Sequence, residues 1–254
     1  MAARARTPLL LATALPVLAA AGHLGPAGSW LPPVRRTLLP ALAGLGRPDH
    51  VALTFDDGPD PRSTPHILAA LDRLGLRATF FVLGEAVRAH PALCASIARQ
   101  GHELALHGWT HTRPWLPAPL RDRRELARAA EAVREAAGAE CRWYRPPYGV
   151  LTGGRWAAAR HAGLRPVLWS AWGRDWTADA TPASVLATVA RDLRGGGTVL
   201  LHDSDRTSAP GSWRTTLEAL PLLAAFCRRR GWQPGPLAEH GTGGIGTAEG
   251  APGV

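Results

Sequence analysis

The chain has 254 residues, 46% of them hydrophobic and 19% charged, which supplies a sizeable core and excludes a mostly disordered or collagen-like polymer. Its length suits one or two domains, and α/β barrels commonly use this much chain as one. All 29 cationic residues are arginine, and the formal charge is +9. Such a charge suits nucleic acid or an anionic cell-surface polymer. An alanine-, glycine- and arginine-rich chain without lysine reads first as compositional bias, however. No nucleic-acid partner is expected, because Asp and Glu are interspersed through Arg121–Arg134, the mark of a solvated helix face. Cys94, Cys141 and Cys227 form no CxxC pair and cannot all be matched in disulfides, so they are read as small buried apolar side chains.

The N-terminus carries Arg4 and Arg6 before an apolar run, Leu9–Ala21, broken by Thr13 and Pro16 and closed by small residues. This is the layout of a secretory signal peptide over residues 1–22, or of a membrane anchor if it is retained, and it points to a secreted or membrane-anchored protein. Thirteen residues fall short of the about 20 that a spanning helix needs. The proline-containing stretch 23–46 reads as a linker and 47–238 as a single domain. Within that domain, Val51–Phe55, Ala78–Leu83, Glu103–Leu106, Val167–Trp169 and Thr198–Leu201 read as buried strands. Helical patterns fall near Ser63–Leu74, Glu85–Gln100, Leu120–Ala137, Arg155–Ala162, Pro182–Leu193 and Ser212–Arg230. Ser63 and Thr181 stand as caps, and several helices end in glycine. Alternating strands and helices predict an α/β fold with parallel strands, a barrel closed or nearly so. The glycine-rich tail, 239–254, is expected to be disordered.

In such a fold the chemistry sits at the carboxyl ends of the strands, and the residues just past each apolar run fit that rule. Asp56 and Asp57 open the first loop, where one carboxylate can hold a cation while the other serves as a base, or where Asp-Gly-Pro simply makes a turn. His107 and His111, four apart, can converge on one ion. One carboxylate and two imidazoles leave open positions, as catalysis requires of a metal site. Arg145 can hold a carboxylate ionised, or brace a loop. His202 can act as an acid, with Asp175 fixing its tautomer.

Taken in order, TFDDGP (Thr54–Pro59), HGWTH (His107–His111), RPPYG (Arg145–Gly149), RDW (Arg174–Trp176) and LLHD (Leu200–Asp203) resemble the five motifs of the polysaccharide deacetylases, carbohydrate esterase family 4 with a NodB-homology domain. The resemblance spans roughly residues 47–235. It implies a distorted, incomplete (β/α) barrel with a divalent metal at its carboxyl rim, zinc first, Co2+ or Ni2+ as alternatives. It makes Asp57, His107 and His111 the ligands and Asp56 the base that deprotonates the attacking water. Arg145 would orient Asp56, and the Tyr148 backbone N–H would stabilise the oxyanion. His202 would protonate the leaving amine, tuned by Asp175, with Trp176 beside it and Leu200 lining the acetyl pocket. Two departures stand out. Gly108 replaces a serine or threonine after the first metal histidine, and Trp172 replaces a motif aspartate and becomes the leading candidate for a sugar contact.

Trp109, Trp115, Trp143 and Trp213 are also expected near rim loops, with Trp156, Trp169 and Trp232 in the core. The function implied is removal of N-acetyl groups from an N-acetylglucosamine-containing glycan, by a monomer. The alternatives are an O-acetyl esterase or a non-catalytic glycan-binding protein. Binding alone would need neither Asp56 nor His202.

Overall fold

Strand β1 (His50–Asp56) is buried along its whole length and takes partners on both flanks. The computed structural model describes residues 17–114 and 116–241. Beside β1 lie β2 (Thr79–Leu83), β3 (Glu103–Gly108), β4 (Trp143–Tyr144), β5 (Arg165–Pro166), β6 (Ala171–Trp172), β7 (Thr198–His202) and β8 (Gln233–Gly235). The order is β5-β4-β3-β2-β1-β7-β6, and every pairing is parallel. β8 pairs in parallel with the first half of β1, at His50–Ala52, while β2 pairs with its second half, Thr54–Asp56.

β5 and β6 end this path on opposite sides, yet only residues 167–170 join them. Four residues can span no more than about 18 Å, so the sheet curls until its ends nearly meet. The expected incomplete barrel is what forms.

Val167–Trp169, expected as a strand, is this connection and not a strand. Its carbonyls are satisfied by guanidinium groups instead of a ladder. Arg145 donates to Val167 O at 3.4 Å and Leu168 O at 2.7 Å, Arg35 donates to Trp169 O at 2.9 Å, and Arg36 donates to Ser170 O. Buried backbone oxygens need partners, and here arginines supply them.

The helices lie outside the sheet: α1 (Pro32–Leu38), α2 (Thr64–Leu74), α3 (Gly84–Ala89), α4 (Pro91–Arg99), α5 (Pro119–Ala137), α6 (Gly153–His161), α7 (Pro182–Asp192) and α8 (Ser212–Arg229). The pattern expected as one helix from Glu85 to Gln100 is two, divided at His90 by Pro91, which cannot donate to the preceding turn. Thr181 caps α7 in a capping box with Ser184, whereas Ser63 makes no cap bond.

Side chains alternate across the strands. Val51, Leu53 and Phe55 face the helices with Phe80, Val82, Val199 and Leu201. Ala52, Phe81, Ala105, Trp143, Val167 and Leu237 fill the barrel floor. The inward positions above that floor are therefore the ones that carry chemistry: Thr54 and Asp56 on β1, His107 on β3, and Leu200 and His202 on β7.

Residues 23–46, expected as a linker, hold a 3-10 helix (Gly25–Trp30) and α1, and they pack against the seam. Ser29, Arg35 and Ala43 are buried, and Leu168 N–H donates to Leu42 O at 2.7 Å. Of the expected signal segment, residues 1–16 lie outside the described residues, and the helical residues that come next expose Val17 and Leu18. No helix of the described residues is long and apolar enough to cross a membrane. Of the expected tail, His240 is buried and residues 242–254 lie outside the described residues. The cysteines are free, Cys94 and Cys227 buried and Cys141 half-buried.

Candidate active site

Arg145 anchors the floor of the site. It is completely buried, with its guanidinium 4.0 Å from the centre of the Phe81 ring on the barrel floor. One terminal nitrogen donates to Thr54 Oγ1 at 2.8 Å and to Asp56 Oδ1 at 2.7 Å. Burial pulls the guanidinium pKa down while Asp56 opposes the shift, the balance expected of a desolvated pair whose remaining donors also find oxygens. Thus the arginine after β4 points inward and fixes one oxygen of Asp56. The other oxygen, Oδ2, stands 3.8 Å from His107 Nε2.

Asp57 adopts φ +82, a left-handed conformation uncommon for a residue with a β-carbon. The turn that holds it depends on Asp203. Gly58 N–H donates to Asp203 Oδ1 at 3.1 Å and Thr64 Oγ1 donates to Oδ2 at 2.5 Å. A β-carbon at Gly58 would collide with that carboxylate, so only glycine fits. Burial, with the Asp57 charge nearby, pushes Asp203 up to about 7.

His107 sits at a register shift, where β3 offers two residues, His107 and Gly108, against Leu83 of β2. The bulge re-aims the ring. Its Nδ1–H donates to Arg145 O at 2.8 Å, which leaves Nε2 facing Asp57 Oδ1 at 3.3 Å. His111 Nε2 lies 3.6 Å from the same oxygen. Gly108, the departure from the family pattern, takes φ +109, and 3.5 Å separates a β-carbon there from its nearest neighbour. The backbone conformation, not crowding, favours glycine at this position.

Asp57, His107 and His111 each offer one ligand atom, all within 4.8 Å of one another. Asp57 Oδ1 is buried without a hydrogen-bond partner among the described residues. Burial, reinforced by the neighbouring His107, holds His111 down to about 4, so its ring is neutral and able to coordinate. The neighbouring imidazoles, opposing burial, hold Asp57 well below the usual carboxylate range. A buried carboxylate oxygen without a hydrogen-bond partner among the described residues, with two imidazole nitrogens 3.3 and 3.6 Å away, fits a divalent metal.

Opposite stands His202, whose Nδ1–H donates to Asp175 Oδ1 at 2.9 Å. Asp175 Oδ2 accepts from the His202 backbone N–H at 2.8 Å and from Thr216 Oγ1 at 2.7 Å. Burial disfavours the imidazolium, but Asp175 and then Asp57 and Asp56 outweigh it and raise the pKa to about 9. Trp176 packs edge-on against His202 with centroids 5.5 Å apart. The cleft above encloses about 690 Å³ and is lined by Asp56, His107, His111, Tyr148, Leu200 and His202, together with Trp172 and Trp176. Tyr148 is half-exposed with φ +61 and stacks edge-on against His111, centroids 4.3 Å apart.

All the residues predicted from sequence for the site meet in this one region. Other tryptophans are placed differently. Trp109 is buried between Arg88 and Arg128 against α3 and α5, and Trp143 lies in the barrel floor, donating to Glu103 Oε1 at 3.0 Å. Trp213 is buried at the start of α8, Trp156 is exposed, and Trp115 lies outside the described residues. Trp169, expected in the core, is buried but also lines the cleft. Two contributors had no sequence signal. Thr207 Oγ1 donates to Asp57 Oδ2 at 2.5 Å, and Trp30 lines the cleft from the N-terminal segment.

The sequence pattern of the polysaccharide deacetylases matches residues 44–167. A chitooligosaccharide deacetylase of Bradyrhizobium sp. is 38% identical over 199 residues, covering 74% of this chain and 89% of that protein. A peptidoglycan-N-acetylglucosamine deacetylase of Listeria monocytogenes is 34% identical, covering 67% of this chain and 35% of its own length. The solved family 4 carbohydrate esterase of Streptomyces lividans, in complex with acetate, superposes with a TM-score of 0.66 at 31% identity, covering 74% of this chain and 92% of that one. The barrel and its rim define a hydrolase-type cleft with a triad able to hold a metal ion. The chain belongs to the polysaccharide deacetylase family.

Proposed function

We propose that the protein removes N-acetyl groups from an N-acetylglucosamine-containing glycan, such as peptidoglycan or a chitooligosaccharide, outside the cytoplasm. The observation that carries this reading is the pair of opposed groups across one cleft: Asp56, held by Arg145, and His202, held by Asp175. Amide hydrolysis needs a base for water and an acid for a poor leaving group. The names of the similar Bradyrhizobium and Listeria proteins supply the substrate class.

In this reading Asp57, His107 and His111 hold a divalent cation, zinc first. Bound there, the cation supplies Lewis acidity that polarises the acetyl carbonyl and acidifies water. Asp56 Oδ2, the oxygen left free by Arg145, takes the proton from the attacking water. The Tyr148 backbone N–H donates to the developing oxyanion. His202 Nε2–H, free because Nδ1 is committed to Asp175, gives its proton to the departing nitrogen. Leu200 seats the acetyl methyl, and Trp172 and Trp176 flank the sugar. The N-terminal residues direct export, cleaved or kept as an anchor, and the enzyme acts as a monomer.

The test is acetate release from N-acetylated glycans by the purified protein. Activity should vanish with a chelator, return with Zn2+ or Co2+, and be lost together with metal content in Asp57→Ala. Metal binding and turnover in Asp57→Ala at the parent level would overturn the ligand assignment. Release from acetylated xylan alone would make the enzyme an O-acetyl esterase.

A further inference from the structure

The segment before the first strand lies outside the stretch matched by the family pattern, residues 44–167, yet it walls the cleft. Ala27 and Trp30 line the same cavity as Asp56, His111 and His202. The segment is pinned along its length. His23 Nε2–H donates to Pro114 O at 3.3 Å, beyond the His107–His111 loop. Gly22 O occupies the space that a β-carbon at Gly153 would need, so the chain crosses directly over the start of α6.

Arg35 is the principal clamp. It is buried to 3% exposure and donates at once to Trp30 O at 2.5 Å and Trp169 O at 2.9 Å, with its guanidinium 5.2 Å from the Trp169 ring centre. A buried guanidinium that spends its donors on carbonyls is costly, and here it locks the backbone of Trp30 to the seam beside the cleft. Trp30 as a residue stays 45% exposed. A fixed backbone carrying an open indole at a cavity edge is a preorganised surface, because little freedom remains to be lost on binding.

The indole lines the same cavity as a row of aromatic rings that begins at the reacting groups. Trp176 contacts His202, Trp172 lies 5.0 Å from Trp176, and Trp169 stacks on Trp172 at 5.8 Å. A cavity of about 690 Å³ falls among those that hold whole ligands, about 300–1,000 Å³, and exceeds what an acetamido group fills. A pyranose offers an apolar C–H face that suits a flat aromatic ring.

We infer that residues 25–38 are a substrate-binding element, in which Trp30 stacks on a sugar ring of the glycan flanking the unit that is deacetylated. This rests on the activity proposed above. It makes the N-terminal segment a determinant of preference for longer chains.

The experiment compares the parent, Trp30→Ala and Trp30→Phe on N-acetylglucosamine oligosaccharides of two to five units. In Trp30→Ala the ratio of kcat/KM for the pentasaccharide to that for the disaccharide should fall about 10-fold, through KM. Trp30→Phe should recover most of it, and Tm should stay within about 2 °C of the parent. An unchanged ratio in a folded Trp30→Ala protein would overturn the inference. If the parent released acetate from none of these glycans, the proposed activity would fail instead. Calorimetric titration of the pentasaccharide into parent and Trp30→Ala then decides: weaker binding by the variant supports the platform, while equal binding, or none by either, overturns it.

Discussion

Asp175 holds His202 at two points, taking Nδ1–H on one carboxylate oxygen and the backbone N–H on the other. The double grip fixes both ring and tautomer, and it keeps the proton on Nε2 as the pKa rises to about 9. A group meant to donate a proton must be charged at working pH, so kcat should fall as pH rises towards 9. A cation bound at Asp57 cancels part of the negative field and places this limb somewhat lower. Asp175→Asn should move the basic limb down by about one pH unit or more. A limb that stays in place when the pH–kcat profiles are compared would remove His202 from the acid role.

Asp56 and Asp57 are neighbours with opposite fates. Arg145 engages Asp56 at 2.7 Å, while Asp57 Oδ1 has no hydrogen-bond partner among the described residues. Asp56→Asn keeps the size and can still accept from Arg145, but it can no longer take a proton from water. Turnover should drop at least about 100-fold, the usual contribution of a positioned base, with metal content near that of the parent. Loss of metal in this variant, measured by atomic emission, would make Asp56 a ligand instead.

Much of this arrangement was legible in the sequence because period-two strands place alternate residues on one face. Thr54 and Asp56, or Leu200 and His202, point the same way once the strands are identified. The two-residue strands β4, β5 and β6 carry no such period and were not expected as strands. Val167–Trp169 has the apolar composition of a strand, yet arginines 35, 36 and 145, distant in sequence, satisfy the carbonyls of this connection. Asp203 was visible only as a motif letter, and its service to the Asp57 turn emerges from the contact with Gly58. Trp30 and Thr207 lacked any local pattern, since their roles depend on which loops meet over the cleft.

Thr207 positions Asp57, the proposed metal ligand. Its hydroxyl donates to Oδ2 at 2.5 Å, which turns Oδ1 towards the two imidazoles. Partners behind a ligand typically contribute 10–100-fold to metal affinity. Thr207→Val preserves the shape and removes the donor, so zinc affinity measured by competition with a chromogenic chelator should weaken by about 10-fold. Thr207→Ser should retain most of it. Parent-like affinity in the valine variant would show that the hydroxyl only fills space.

Buried neutral histidines set the acid limit of the fold. His102 and His240 are held down to about 4, chiefly by burial. His102 Nδ1 accepts from Ala78 N–H at 3.2 Å, while His240 Nε2–H donates to Gly44 O and Gly196 O, each at 3.0 Å, and bridges to His50. The unfolded chain binds protons near pH 6.5 that the folded chain refuses until about 4, so stability is full above about 6.5 and falls as pH drops through that window. His202 acts in the opposite sense and in another range. Its raised pKa contributes stability below about 6.5 that is lost as pH climbs towards 9. For the metal-free protein, Tm should therefore fall by at least about 4 °C between pH 7 and pH 5. His102→Asn, whose side-chain oxygen can still accept from Ala78 N–H, should flatten that slope. If scanning calorimetry found the same slope in both proteins, His102 would not be among the groups that couple folding to acid.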